Sequence, residues 1–230
     1  MKKVSDGEKP HYLGHRHRLR KKFAINRTCL SDYELLELLL FFVFSRKDTK
    51  PLAKKLLEKF KSIRELILAD QSDLKNIEGV GESSVHLLLL IHEIFNRMLF
   101  EKIQESTSIA STSQVFDYYR NLLEQQKKEQ FRVMFLNNKN KLIAEELMHE
   151  GTVNNTAIYP REIVQKALNY GASAIIMVHN HPGGDPQPSR QDIIMTKAVK
   201  EIVQKLDIAL LDHLIIGKNN VASFRDIGII

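Results

Sequence analysis

Two histidines two residues apart, His179 and His181, and an aspartate eleven residues beyond the second, Asp192, are the side chains here whose types and spacing most directly suggest chemistry. Successive strand residues alternate faces, so positions i and i+2 project to the same side. The preceding run ASAIIMV, residues 172 to 178, is apolar and β-branched. It predicts a buried strand that ends with both imidazoles on one side. Pro182, Pro186 and Pro188, with Gly183 and Gly184, stiffen and turn the loop that follows. Ser189 then opens a helix with Asp192 in its first turn. Two imidazoles and one carboxylate are a common ligand set for a catalytic zinc, which keeps a fourth position for water. The plainer reading of Ser189-x-x-Asp192 is a capping box, and a pair of histidines near a loop is often only polar surface.

A metal hydrolase also needs a base to take a proton from the attacking water and return it to the leaving amine. Glu145, Glu146, Glu150 and Glu162 are candidates, and periodicity does not choose among them.

The string HNHPGGDPQPSRQD resembles the JAMM (MPN+) metalloprotease motif, H-x-H-P followed by S-x-x-D about ten residues after the second His. With LLDHLIIG at 210–217, the likeness narrows to the bacterial RadC family and runs roughly from residue 11 to 228. One departure is Gly183, where that family usually has Ser after His-Pro, at a position that is not a ligand. The resemblance implies Zn2+ as cofactor, with His179, His181 and Asp192 as its ligands. It implies attack of activated water on an amide, peptide or isopeptide bond of an unidentified peptide or protein substrate. JAMM proteins place their glutamate in a P-x-E at a helix start. Pro160-Arg161-Glu162 matches, so the resemblance implies Glu162 as proton shuttle, with Glu150 in H-E-G-T as runner-up. A helix N-terminus favours an ionised carboxylate there, and a simple dipole partner is the alternative. Ser189 matches the residue that stabilises the oxyanion. His213 follows Asp212 in LLDHLII and reads either as a core histidine or as a group supporting a ligand.

These residues need a scaffold. A chain of 230 residues suggests one or two domains, and 43% hydrophobic with 27% charged residues is ordinary for a globular protein. Cys29 is the only cysteine, which excludes an intrachain disulfide and fits a reducing cytoplasm. The N-terminus lacks an apolar signal region. The longest apolar run, LLELLLFFVF, is interrupted by Glu37 and is too short for a bilayer. A cytoplasmic protein without membrane partners is expected.

Past residue 113 the pattern predicts a helix, a β-hairpin, a helix from Pro160 stopped by Gly171, the strand to His179, a long helix from Arg190, and a strand with a final hairpin at Asn219-Asn220. The expected fold class is therefore an α/β C-terminal JAMM-like domain, a mixed sheet flanked by helices, preceded by an all-α helix-hairpin-helix domain. The expected organisation is a basic N-terminal arm at 1–30, a helical domain at 31–103, a small polar linker at 104–113, and the metal-hydrolase domain at 114–230.

The charge is unevenly placed. Residues 1–105 hold 20 basic and 15 acidic side chains, against 14 and 13 in the rest, so the halves carry +5 and +1. Lys9, Arg16, Arg18, Arg20, Lys21 and Lys22 form the densest basic stretch. Such an arm can bind a phosphate backbone, and a solvated face is the competing reading. Downstream, I-E-G-V-G resembles a helix-hairpin-helix motif. Gly79 and Gly81 would give positive φ and close approach of backbone amides to a DNA phosphate, although Glu78 and Glu82 flank the turn. A DNA-associated binding protein of DNA repair type, with a non-catalytic metal site, is therefore the alternative function. Its nucleic-acid residues would be Gly79, Gly81, Arg16, Arg18 and Arg20.

Overall fold

The computed structural model describes residues 11–106, 108, 109, 112–151 and 159–230. The chain forms two compact units that divide between Glu93 and Ile94.

The first unit is helical: α1 (His11–Ile25), a 3-10 turn (Arg27–Cys29), α2 (Asp32–Leu40), α3 (Lys50–Phe60), α4 (Ile63–Ile67), α5 (Gln71–Lys75) and the start of α6 (Glu82–Glu105). Ser31 caps α2 through a box in which its backbone N–H donates to the Glu34 carboxylate. The apolar stripe of α3 buries Leu52, Ala53 and Leu56 against Leu36, Leu40, Leu66, Leu74, Val85 and Leu88.

The expected basic arm is helical over most of its described part. Lys9 lies outside the described residues, but from His11 onward the segment is helix α1. Leu19 is buried with Leu38 and Phe41, and Phe23 packs against them. Burying that one face is what orders a sequence whose charges suggest a solvated tail. Arg16 belongs to the same docked face. It is buried, donates to the carbonyls of Ser45 and Lys47, and stacks over the Phe41 ring. It is thus not available to a phosphate, whereas Arg18 and Arg20 are exposed.

The turn between α5 and α6 needs only one of its two glycines. Gly79 has φ +93°, a conformation strained for any side chain. Gly81 does not adopt positive φ; it precedes α6, and its carbonyl accepts from Val85 N at 3.1 Å.

The second unit comprises the rest of α6, α7 (Thr112–Leu123), β1 (Glu129–Leu136), β2 (Leu142–Gly151), α8 (Pro160–Asn169), β3 (Ala174–Asn180), α9 (Arg190–Gln204), β4 (Ala209–Ile216) and β5 (Val221–Ser223). The division between the units falls within α6, ahead of residues 104–113, of which 107, 110 and 111 lie outside the described residues. The last turns of α6 bring Leu99, Phe100 and Ile103 into the core around α7.

The sheet order is β2-β1-β3-β4-β5, with β3 and β4 parallel and the other pairs antiparallel. Strand alternation sorts the two faces. Met134, Leu136, Ile176, Val178, Leu214 and Ile216 pack against α7. Phe131, Val133, Phe135, Ile175 and Met177 pack against Ile163 and Ala167 of α8 and Val199 and Val203 of α9. The result is a mixed sheet between helical layers, with β3 buried along its whole length.

Candidate metal centre

His179, next to last in β3, lies on the α8–α9 face, because it continues the alternation of Ile175 and Met177. Its ring stacks 6.0 Å from that of Phe131, and it is fully buried. His181 follows on the same side, at the start of the loop. The loop is latched to the end of β4: His181 N donates to Ile216 O at 2.9 Å, and Lys218 N donates to Gly184 O at 2.8 Å. Gly184 turns it with φ +87°. A side chain at Gly183 would meet nothing within 4 Å, so the missing family serine costs no packing.

Ser189 caps α9. Its hydroxyl accepts from Asp192 N at 3.1 Å, and its own N–H donates to Asp192 Oδ2 at 2.7 Å. The capping box is therefore real. It is also what aims the carboxylate at the imidazoles, so the two readings of Ser189-x-x-Asp192 are compatible. Because the Ser189 hydroxyl acts as acceptor in the cap, its own hydrogen remains for donation.

The three groups converge. The two Nε2 atoms are 3.0 Å apart, His179 Nε2 lies 3.4 Å from Asp192 Oδ1, and His181 Nε2 lies 3.5 Å from Asp192 Oδ2. Ligands about 2.05 Å from a tetrahedral zinc stand roughly 3.3 Å from one another. The two imidazole nitrogens and one or other carboxylate oxygen lie near that spacing, and these three residues could hold a metal ion. The donor chemistry fits as well. His181 Nδ1 is 2.8 Å from Asp185 O, a carbonyl that can only accept. His181 therefore carries a proton on Nδ1, and in the neutral ring Nε2 is the nitrogen left to bind a metal.

The electrostatics keep His179 neutral and Asp192 ionised. Burial pushes the His179 imidazole down to about 4, against the opposing pull of Asp192. His181 is raised, chiefly by its contact with Asp192. Burial alone would raise the Asp192 carboxyl, but His181, His179 and Ser189 together hold it well below the ordinary range.

Two nearby residues have no obvious local sequence signal. Asn180, buried between the two histidines in sequence, points to the other face of the sheet. Its Oδ1 accepts from Gln130 N at 2.8 Å, and its Nδ2 donates to Lys128 O at 3.1 Å. It thereby grips the chain on both sides of Glu129. Glu129 is half-buried, with its carboxyl raised by burial and further by Asp192, while His181 and His149 oppose. It is the carboxylate beyond Asp192 whose charge acts on His181.

Glu162 sits in different surroundings. It is exposed in the first turn of α8 and lines a groove with Leu147, Met148, Gln165, Lys166, Asn169 and Tyr170, none of them a member of the histidine cluster. A P-x-E at a helix start is a local pattern, whereas proximity to the histidines is set by strand pairing. The other candidates are engaged elsewhere. Glu145 pairs with Arg132 at 2.7 Å, Glu146 with Lys166 at 3.0 Å, and Glu150 with Lys128 and Gln130, each at 3.1 Å.

His213 is not partnered by its neighbour Asp212 through the ring. The Asp212 carboxylate binds the backbone N–H groups of His213 and Arg225 and the Ser223 hydroxyl, tying β4 to β5. The His213 ring instead reaches His179, with its Nε2 at 2.8 Å from His179 Nδ1.

Among the described residues, no helix is long and apolar enough to cross a membrane. The model of a RadC-like JAB domain matches residues 109–229. That span is more than half of the chain and contains the sheet, the histidine pair and Asp192, and the protein belongs to the RadC family.

Proposed function

We propose that the chain is a zinc-dependent hydrolase of amide bonds, peptide or isopeptide, acting through the cluster at the end of β3. The observation that carries this reading is the convergence of His179, His181 and Asp192, whose candidate ligand atoms lie within 4.8 Å of one another, beside the half-buried carboxylate of Glu129. Zinc bound there would supply an acidified water and polarise the scissile carbonyl. Glu129 takes a proton from the attacking water and returns it to the leaving amine, a role its raised carboxyl suits. Ser189 donates its hydroxyl hydrogen to the developing oxyanion, a contact worth about 3 kcal/mol in related chemistry. Asn180 holds the backbone that presents Glu129.

The test begins with metal analysis of the purified chain, followed by a panel of peptide and isopeptide bonds assayed before and after chelation. Hydrolysis should vanish with the chelator and return with added Zn2+. Absence of bound metal, or cleavage indifferent to the chelator, overturns the reading.

A DNA-associated role for the helical unit is a second reading, favoured by one observation. Folding brings the Lys47 ammonium to 3.9 Å from the position a Cβ would take at Gly79. A cation at a turn of exposed amides suits a phosphate, although Lys55 beside it is engaged by Glu78. Charge reversal of Arg18 and Arg20 in the full chain should lower the salt slope of DNA binding by about 1 for each phosphate no longer neutralised. An unchanged slope removes these residues from the interface.

A further inference from the structure

We infer that His213 and Thr196 are positioning residues that lock the tautomer of His179, so that its Nε2 lone pair faces the metal. The inference rests on the proposed metal site. It concerns two buried residues that touch neither the metal position nor the substrate.

Each hydrogen can be placed along a run of linked hydrogen bonds. Thr196 Oγ1 lies 2.6 Å from the backbone oxygen of Asp192, one helical turn earlier in α9. Two oxygens so close require a hydrogen between them. A carbonyl has none, so the threonine hydroxyl donates. Thr196 Oγ1 also lies 2.6 Å from His213 Nδ1. Its only hydrogen is spent, so it accepts here, and His213 carries its proton on Nδ1. A neutral imidazole with a proton on Nδ1 has an acceptor at Nε2. That Nε2 is 2.8 Å from His179 Nδ1, which must therefore donate. The only nitrogen left on His179 is Nε2, unprotonated, facing His181 and Asp192.

The surroundings enforce neutrality and orientation. His213 and Thr196 are fully buried. The His213 ring packs 4.6 Å from Phe224 and 5.8 Å from Phe131. Strand alternation and the parallel register of β3 with β4 bring His213 to the α9 face, diagonal to His179. The relay also closes on itself. It starts at the backbone carbonyl of Asp192 and ends at an imidazole that faces the Asp192 carboxylate. Supporting groups of this kind commonly change metal affinity by about 10–100-fold.

The experiment uses the full chain labelled with 15N-histidine. Long-range proton–nitrogen correlation spectra of the metal-free protein at neutral pH report each tautomer, and Zn2+ titration reports affinity. Wild type should show His179 and His213 both protonated on Nδ1. Thr196→Val removes the acceptor with little change of shape. His213 should then move its proton to Nε2 and His179 should follow, placing a proton where the metal would bind. Zinc affinity should fall about 10–100-fold. Thr196→Ser should restore both the tautomer and the affinity. His213→Gln, which offers an acceptor to His179 and a donor to Thr196, should stay within a few-fold of wild type.

A wild-type His179 protonated on Nε2 overturns the inference. So does a folded Thr196→Val protein that keeps both the wild-type spectrum and the wild-type affinity. If wild type binds no zinc, the proposed hydrolase function falls. The tautomer spectrum, read without metal, still decides this inference separately.

Discussion

Exchanging Glu129 for Gln should leave the metal bound and lower the hydrolytic rate by a factor on the order of 10²–10⁴. The amide keeps the size and much of the hydrogen bonding of the carboxylate but cannot take a proton. Glu129 stands at the first position of β1, which runs antiparallel to β3. It therefore begins where β3 ends, and the electrostatic contact with His181 and Asp192 follows from that pairing. The same exchange at Glu162, exposed on α8, should keep nearly the wild-type rate. Metal content and turnover on one cleavable peptide decide the matter. A dead Glu162→Gln enzyme beside an active Glu129→Gln enzyme would reverse the assignment.

His179→Ala or Asp192→Ala should abolish stoichiometric zinc. The loss should exceed the roughly 10–100-fold that a supporting group carries, because a ligand atom itself is removed. The two variants should differ in stability. Asp192→Ala also deletes half of the capping box of α9, so it should lower stability as well. Asp192→Asn keeps an acceptor for the Ser189 N–H while weakening the ligand, so it separates helix capping from metal binding. Metal analysis and thermal unfolding of the three variants test both statements. Wild-type zinc content in the His179 and Asp192 alanine variants would show that this cluster is not the centre.

Which parts of the site were legible in the sequence follows from the range of the interactions that build it. His179 and His181 are related by the period of a strand, and Asp192 and Ser189 by the first turn of a helix. Both relations are local, and both could be read from spacing. Glu129 and His213 enter through strand pairing, across 50 and 34 residues from His179. No short pattern marks them, although a carboxylate just before the apolar run of β1 is a usable hint once β1 is known to pair with β3. The P-x-E at Glu162 is a local template, and such a template carries no information about which strand lies beside it. In the helical unit, alternating arginines hid the docked face of α1. Only Leu19 and Phe23 signal it, and the burial of Arg16 depends on carbonyls of Ser45 and Lys47, far along the chain.

The capping of α9 has a consequence for which ion the centre can prefer. Both Asp192 oxygens face the histidines, Oδ1 toward His179 and Oδ2 toward His181, but Oδ2 also accepts the Ser189 N–H. Only Oδ1 is free of the helix cap. Calcium, which takes six to eight oxygens and often a two-oxygen grip on a carboxylate, would have to share Oδ2 with the helix cap to obtain it. Magnesium asks for an octahedron of oxygens, and two imidazole nitrogens are poor substitutes. An ion of borderline softness, content with nitrogen and a single oxygen, meets no such obstacle. Discrimination among cations is thus written partly in a main-chain amide, which no substitution of the serine side chain alone would erase.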